Sequence, residues 1–162
     1  MDMVRIGRPG GMMLALASLL MTPACAHERV EHFAPVAPRP AGVPADARPS
    51  FSSSVLAGNT AYIAGVTDLD PATRRPGTAP RESIRLVLDA LKASVEAAGL
   101  EMDDLVWVQV YVTDLDTFSQ FNAIYAEYFE GPLPARTFVG VAGLMGGAHF
   151  EINGIAVAQA CD

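Results

Sequence analysis

Residues 105–114 read LVWVQVYVTD, and this stretch decides the fold. Its side chains alternate in character, which is typical of a β-strand whose two faces meet different surroundings. One predicted face carries Val106, Val108, Val110 and Val112, and the other carries Trp107, Gln109, Tyr111 and Thr113. We expect the valine face to pack against helices, while the aromatic and polar face must meet something else.

The segment before this strand has the pattern of a helix. Over residues 79–98, apolar side chains recur at spacings of four, three and four and form one stripe. The residues of the stripe are Ile84, Leu88, Leu91 and Val95. Thr78 is the predicted N-cap, Pro80 fits the first turn, and Gly99 supplies a left-handed stop.

A second helix is predicted after the strand, from about residue 117 to 130, with Asp116 as its N-cap. Residues 52–57 and 60–65 indicate a β-hairpin joined by a Gly-Asn pair, and residues 30–33 are a candidate edge strand. Residues 137–144 and 150–158 alternate as two final strands, which we take as a further hairpin.

The resulting order, β-β-α-β-α-β-β, indicates an α/β (α+β) domain with two helices on one face of a mixed sheet. The other face of that sheet would carry Trp107 and Tyr111, which are large and partly apolar. Such a face favours self-association, and a closed ring of subunits would cover it.

The N-terminus has the features of a secretory signal over residues 1–26. Arg5 and Arg8 precede an apolar run of eleven residues, which is too short to span a bilayer. Two alternatives remain open for the exit from the signal, that is, for how the signal is cleaved at its end. Ala24-Cys25-Ala26 fits a peptidase site, whereas Cys25 alone fits the lipidated first residue of a bacterial lipoprotein. Either exit predicts a periplasmic protein, soluble or lipid-anchored.

Residues 27–50 are rich in proline and alanine and indicate a lead-in before a domain at 51–160. Removing Arg5, Arg8 and Asp2 from the 11 basic and 18 acidic residues leaves 9 and 17, a net charge of −8. Without a basic cluster, nucleic-acid binding is disfavoured. We find no glycine-rich phosphate loop and no paired-cysteine site, and expect neither cofactor nor metal. His149 is interpreted as a surface residue.

Arg136 is the strongest candidate for a functional residue, because it is the only Lys or Arg between residues 93 and 162. A basic side chain among small and apolar neighbours needs a carboxylate partner or an anionic ligand. Glu151 stands out on the last predicted strand. If the last two strands form a hairpin, Arg136 and Glu151 lie at its open end. They could then pair with each other or both face a ligand.

Several segments resemble the Rid (reactive intermediate deaminase, RidA-like) family. Pro134-Ala135-Arg136 is followed by alternating apolar residues and by Glu151, fifteen positions later. Ala64-Gly65 with Asp70-Pro71 is similar to a loop of that family, and Glu96 to Leu100 is similar to the end of its first helix. Further similar segments are Val112 to Leu115 and Phe121 to Tyr125. The resemblance extends over residues 33–160.

The resemblance implies a chorismate-mutase-like fold and a homotrimer with ligands in clefts between subunits. It implies hydrolysis of 2-imino acids, such as 2-iminopropanoate and 2-iminobutanoate, and of their enamine tautomers, without cofactor. Arg136 would clamp the substrate carboxylate, and Glu151 would orient or activate water. Asn122 would support the site near the subunit interface, and Gly65 would belong to the substrate-binding loop.

The chain also departs from active members that it resembles. Phe51 stands in place of a tyrosine and Ala64 in place of a serine, so two hydroxyls are missing. Val66 replaces a common glutamine, and Phe138 replaces a smaller residue beside the pocket. These departures leave two alternatives to catalysis: a non-catalytic protein that binds a small carboxylate, or a structural trimer in which Arg136 and Glu151 pair.

Overall fold

The computed structural model describes residues 30–34, 44, 46–47 and 49–158. Within these ranges the chain forms six strands, β1 (Val30–Phe33), β2 (Ser54–Ala57), β3 (Thr60–Thr67), β4 (Leu105–Val112), β5 (Ala135–Gly140) and β6 (Phe150–Val157), and two α-helices, α1 (Pro80–Ala97) and α2 (Phe118–Tyr125). The predicted signal at 1–26, Cys25 and most of the lead-in lie outside these ranges. Neither helix is long and apolar enough to cross a bilayer.

The strands form one mixed sheet in the order β1-β2-β3-β6-β4-β5, in which only β4 and β5 are parallel. Both helices cover the same face, since side chains of α1, α2, β4 and β6 share one buried core. The predicted fold class is confirmed, as are the edge strand β1 and the first hairpin. Gly58, with φ of 63°, gives that hairpin its turn.

The predicted hairpin of the last two strands is wrong, because β4 lies between β5 and β6. The chain leaves β4, crosses the sheet through α2 and returns as β5, parallel to β4, as a helical crossover requires. β6 then pairs antiparallel with the other edge of β4. Arg136 is therefore level with Val108, whereas Glu151 is level with Tyr111, further along β4.

The valine face of β4 is confirmed at three positions and wrong at the fourth. Val108, Val110 and Val112 are fully buried, but Val106 is 49% exposed and Leu105 is buried in its place. The pairing of β4 with β6 shifts between Leu105 and Trp107, which breaks the alternation at that point. A local bulge therefore exchanges the roles of two adjacent apolar residues.

The apolar stripe of α1 is fully buried, and Pro80 occupies its first turn as predicted. Gly99, with φ of 79°, adopts the left-handed conformation expected at the helix end. Thr78 is not the N-cap: Ala79 holds that position without a side-chain cap. Thr78 instead donates its N–H and its hydroxyl to the Glu82 carboxylate, at 2.7 and 2.8 Å.

The second helix is shorter than predicted, and Asp116 is not its N-cap. A 3₁₀ turn at 115–117 precedes α2, and the Asp114 carboxylate caps that turn by accepting the Asp116 N–H at 3.0 Å. After Tyr125 the chain tightens into a second 3₁₀ turn at 126–128. Both turns satisfy backbone groups at helix ends, where the α-helical pattern leaves them unpaired.

The bulge in β4 leads to a test of two similar substitutions. We expect Val108→Ala to lower the free energy of unfolding by about 2 kcal/mol, because it removes buried methyl groups and leaves a cavity. Val106→Ala should change it by less than about 0.5 kcal/mol, because Val106 is half exposed. Urea denaturation of both variants measures the difference, and equal losses would contradict the bulge.

Candidate functional site

Arg136 lies near the start of β5 and points to the helix-covered face of the sheet. One guanidinium N–H donates a short hydrogen bond to the side-chain oxygen of Asn122 on α2. Four aromatic rings surround the guanidinium, with Cζ-to-centroid distances of 4.7 Å to Tyr125, 5.4 Å to Phe121, 5.8 Å to Phe138 and 5.9 Å to Phe118. Such contacts between a cation and π-systems stabilise the charge.

No carboxylate in the described part of the chain pairs with Arg136. Burial lowers the pKa of Arg136 from its ordinary value, an effect that the nearby Tyr125 partly opposes. A guanidinium nevertheless stays protonated in proteins. Of its five N–H donors, Asn122 takes one, so the cation retains donors for an anionic ligand.

Tyr125 is one of the buried rings beneath the guanidinium. Its side chain is 2% exposed, and its hydroxyl has no hydrogen-bond partner among the residues that the structure describes. Burial raises the pKa of Tyr125 to about 12, although the positive charge of Arg136 acts in the opposite direction. Tyr125 is therefore neutral at physiological pH and contacts Arg136 through its ring.

Glu151 lies on the opposite face of the sheet from Arg136. Its neighbours on β6, Phe150 and Ile152, are buried in the core, and alternation along the strand directs Glu151 to the face without helices. On that face it is level with Thr67 of β3 and Tyr111 of β4. Both alternatives left open by the sequence are therefore excluded within one chain: Arg136 and Glu151 do not pair, and one chain cannot hold a ligand between them.

Gly65 lies directly against the side chain of Glu151. A Cβ built on Gly65 would lie 3.1 Å from the Glu151 carboxyl carbon and closer still to one carboxylate oxygen. Gly65 stands where β3 changes register with β6, beside the partly buried Ala64, whose N–H donates to the Ser53 carbonyl at 2.9 Å. Glycine therefore makes room for the carboxylate on the surface of the sheet.

All the predicted site residues except Phe51 fall into two half-sites. The arginine half-site contains Arg136, Asn122 and Phe138, together with Phe118, Phe121 and Tyr125, which the sequence prediction did not include. The glutamate half-site contains Glu151 and Gly65, with Ala64 next to Gly65 in the chain. Phe51, which is 62% exposed, lies on the segment that leads into β2.

Sequence reasoning missed a cluster that fixes the start of β6. Asp68, fully buried, accepts the N–H groups of His149 and Phe150 at 2.8 and 3.2 Å. The His149 Nδ1 lies 3.2 Å from Asp68 and 3.1 Å from the buried Ser83 hydroxyl. Both partners share one ring nitrogen, so this is no nucleophilic triad. The cluster ties β3, α1 and β6 together just before Glu151.

The missed cluster has no local signal, because its residues are separated by 15 and 66 positions in the chain. About half of the His149 side chain is exposed, as expected for a surface residue. Its contacts with Asp68 and Ser83 were not predicted. Within the described ranges, no three His, Cys, Asp or Glu side chains come together to hold a metal ion.

The unpaired hydroxyl of Tyr125 gives a test by stability. An unsatisfied buried hydroxyl costs roughly 1–3 kcal/mol, so Tyr125→Phe should raise the free energy of unfolding by about 1 kcal/mol at neutral pH. The raised pKa of Tyr125 means that wild-type stability falls as pH rises from about 10 through about 12, a loss that the variant should show less strongly.

Urea denaturation of wild type and Tyr125→Phe at neutral pH and at pH about 11 measures both effects. Part of the alkaline loss should remain, because the pKa of Tyr128 is also raised to about 12, mainly by burial. A variant less stable than wild type at neutral pH would show that the Tyr125 hydroxyl has a partner in solution.

This chain is similar to known proteins in both sequence and fold. Residues 43–158 match the family described as endoribonuclease L-PSP. A "2-iminobutanoate/2-iminopropanoate deaminase" of Dermatophagoides farinae is 35% identical over 126 residues, covering 77% of this chain and 93% of its own. The RidA crystal structure of Psychrobacter sp. PAMC 21119 is 32% identical with a TM-score of 0.67, covering 78% and 98% of the two chains.

A second solved structure, E. coli TdcF with bound serine, is 31% identical with a TM-score of 0.65 and covers 70% of this chain and 91% of its own. Because identity exceeds 30% over most of both chains, the similarity concerns the amino-acid sequence as well as the fold. The chain belongs to the endoribonuclease L-PSP family, the family of the RidA-type proteins.

Proposed function

We propose that this chain is an exported RidA-type deaminase, which hydrolyses 2-imino acids and their enamine tautomers to 2-oxo acids and ammonia. The observation that carries the proposal is the guanidinium of Arg136, partly buried among four rings and without a carboxylate partner among the described residues. A cation held in this way is suited to the carboxylate of a small acid.

The fork geometry of Arg136 suits that carboxylate. Two parallel N–H groups can bind both oxygens at once, which fixes the plane of the acid as well as its distance. Asn122 accepts one N–H of the guanidinium, and the surrounding rings leave it little room to rotate. The reactive C2 atom of the substrate would then have a defined position relative to the protein.

The positions of Arg136 and Glu151 on opposite faces favour a site between subunits. β5 is an edge strand of the sheet, so Arg136 lies where a neighbouring subunit can approach. The face that carries Glu151 also carries Tyr111 and Tyr62, and Tyr62 is 53% exposed. Covering that face in a closed homotrimer would bring the Glu151 of one subunit towards the Arg136 of the next.

In this proposal Glu151 acts on the water that attacks the imine. The carboxylate accepts a proton from the water as the water oxygen bonds to C2 and passes that proton to the nitrogen, so the C=N double bond becomes a C–N single bond. Glu151 then takes the remaining proton from the new hydroxyl group and delivers it to the nitrogen as the C–N bond breaks. Ammonia leaves, the C2–O bond becomes the carbonyl of the 2-oxo acid, and Glu151 is again a carboxylate. Water is the only co-substrate.

Charge argues against the ribonuclease activity that the family description names. The chain has a net charge of −7, and its only adjacent basic pair is Arg74-Arg75. Binding to a phosphate backbone needs several clustered Lys or Arg side chains. Similarity to the 2-iminobutanoate/2-iminopropanoate deaminase of Dermatophagoides farinae supports an imino acid as the substrate.

Arg136 can be tested directly. Arg136→Ala should lower kcat/KM for deamination by at least about thirtyfold, because losing a charged bidentate contact costs about 2–5 kcal/mol. A coupled assay, in which a threonine dehydratase generates the imino acid in situ, measures the rate. Arg136→Lys, which keeps the charge but not the fork, should lie between wild type and Arg136→Ala.

The control for Arg136→Ala is its oligomeric state by gel filtration, which should match that of wild type. Retained activity in a normally assembled variant would remove Arg136 from the mechanism. An inactive wild type that still binds 2-oxo acids would instead favour the non-catalytic binding protein.

The two missing hydroxyls lead to a prediction of gained activity. Each neutral hydrogen bond absent from the site is worth about 0.5–1.5 kcal/mol, so together they correspond to about a ten- to hundredfold lower rate on small imino acids. Phe51→Tyr combined with Ala64→Ser should recover part of that rate on 2-iminopropanoate. A double variant no faster than wild type would show that these departures from the family are neutral.

Export is proposed on the features of residues 1–26, and fractionation of the producing cell tests it. The processed chain should be found outside the cytoplasm. Labelling with a fatty-acid analogue then separates the two exits: label present in wild type and lost in Cys25→Ser means a lipoprotein, and no label in either means a free protein. Full-length, unprocessed chain in the cytosol would contradict export.

A further inference from the structure

The four rings around Arg136 differ in what they expose. Phe121 is fully buried and Tyr125 nearly so, and these two form the base beneath the guanidinium. Phe118 is 44% exposed, and Phe138 is partly exposed. Phe118 and Phe138 meet edge to face, with centroids 5.1 Å apart and planes at 78°. They form an apolar wall beside the cation, which we call the Phe118–Phe138 wall.

The wall is anchored and cannot simply fold away from a ligand. The Phe138 ring also packs edge-on against the buried Phe121, with centroids 5.2 Å apart. Phe121 in turn stacks on Phe150 of the core, at 5.7 Å. Phe138 is therefore held by the domain interior and Phe118 by its edge-to-face contact with Phe138, while part of each ring remains open.

A carboxylate on Arg136 brings the rest of the ligand to this wall. In a bidentate pair the carboxylate carbon lies about 4 Å from Cζ. The centroids of Phe118 and Phe138 are 5.9 and 5.8 Å from the same Cζ. A side chain attached two bonds beyond the carboxylate can thus contact one or both rings, whereas a methyl group covers little of them.

The wall also determines which side chain gains most from the contact. Neither ring offers a hydrogen bond, so a polar side chain would lose water without a replacement. An aromatic side chain gains the burial of apolar area and about 0.5–1.5 kcal/mol more from edge-to-face contact. An aliphatic side chain of equal size gains only the burial.

We infer that the arginine half-site selects 2-imino acids with an aromatic side chain, and that Phe118 and Phe138 determine this specificity. The inference rests on the proposed function for the identity of the reacting group, but the selection of the side chain applies equally to the 2-oxo acid product. The reaction is the same hydrolysis by water.

The test compares imines made in situ by an L-amino-acid oxidase from phenylalanine, from cyclohexylalanine and from alanine, with semicarbazide trapping the imine that escapes the enzyme. For wild type, kcat/KM should be at least about tenfold higher for the phenylalanine-derived imine than for the alanine-derived one. The cyclohexylalanine-derived imine, equal in size but not aromatic, should lie between them. Phe138→Leu and Phe118→Leu should each lower the phenylalanine-to-alanine ratio several-fold.

Phe129→Leu is the matched control. Phe129 is also partly exposed and packs on Tyr125, with centroids 4.8 Å apart, but it makes no cation–π contact with Arg136. This variant should keep the wild-type ratio. A ratio lowered equally in Phe129→Leu and Phe138→Leu would overturn the assignment, because a general loosening of the aromatic core would then explain the change.

Calorimetric titration with phenylpyruvate and with pyruvate separates this inference from the proposed function. If no imine is hydrolysed, but phenylpyruvate binds at least about tenfold more tightly than pyruvate and Phe138→Leu removes that preference, the selectivity stands and the deaminase proposal fails. If all imines are hydrolysed at similar rates by wild type and variants, the deaminase stands and the selectivity is overturned. Equal binding of both 2-oxo acids would also overturn it.

Discussion

The position of β4 between β5 and β6 is the constraint on which the site depends. Because β4 pairs with both strands, each residue of β5 and β6 takes its face and its height from a residue of β4. Arg136 is level with the buried Val108 and so faces the helices, where the rings of α2 enclose it. Glu151 is level with Tyr111 and so faces away from them. Two residues fifteen positions apart are thereby directed to opposite sides of one sheet.

What could be predicted from the sequence was local. The buried stripe of α1, the turn at Gly58 and the helix end at Gly99 depend on residues close together in the chain, and periodicity and glycine conformation fix them. The resemblance to the Rid family around Arg136 also depends on residues close together in the chain. Arg136 itself was identified because a lone cation among apolar neighbours is conspicuous at the level of composition.

What failed depended on pairing between distant segments. Nothing local distinguishes a final hairpin from two strands that flank a third, so the pairing of β5 with β4 was missed. The bulge at Val106 arises from the register between β4 and β6, and the contact of Asp68 with His149 joins residues 81 positions apart. The aromatic enclosure of Arg136 depends on the packing of α2 on β5, so among the neighbours that the structure gives Arg136 only Asn122 and Phe138 were expected, and both from the family resemblance.

The opposed directions of Arg136 and Glu151 have a further consequence for how such a protein behaves in solution. If one ligand contacts both residues, an isolated subunit keeps every side chain of the site and yet has no complete site. Specific activity would then fall on dilution, with a midpoint set by the subunit dissociation constant rather than by affinity for substrate. Mixing an inactive variant that lacks Arg136 with one that lacks Glu151 would restore activity. In mixed oligomers, some sites would combine an intact Arg136 from one subunit with an intact Glu151 from another.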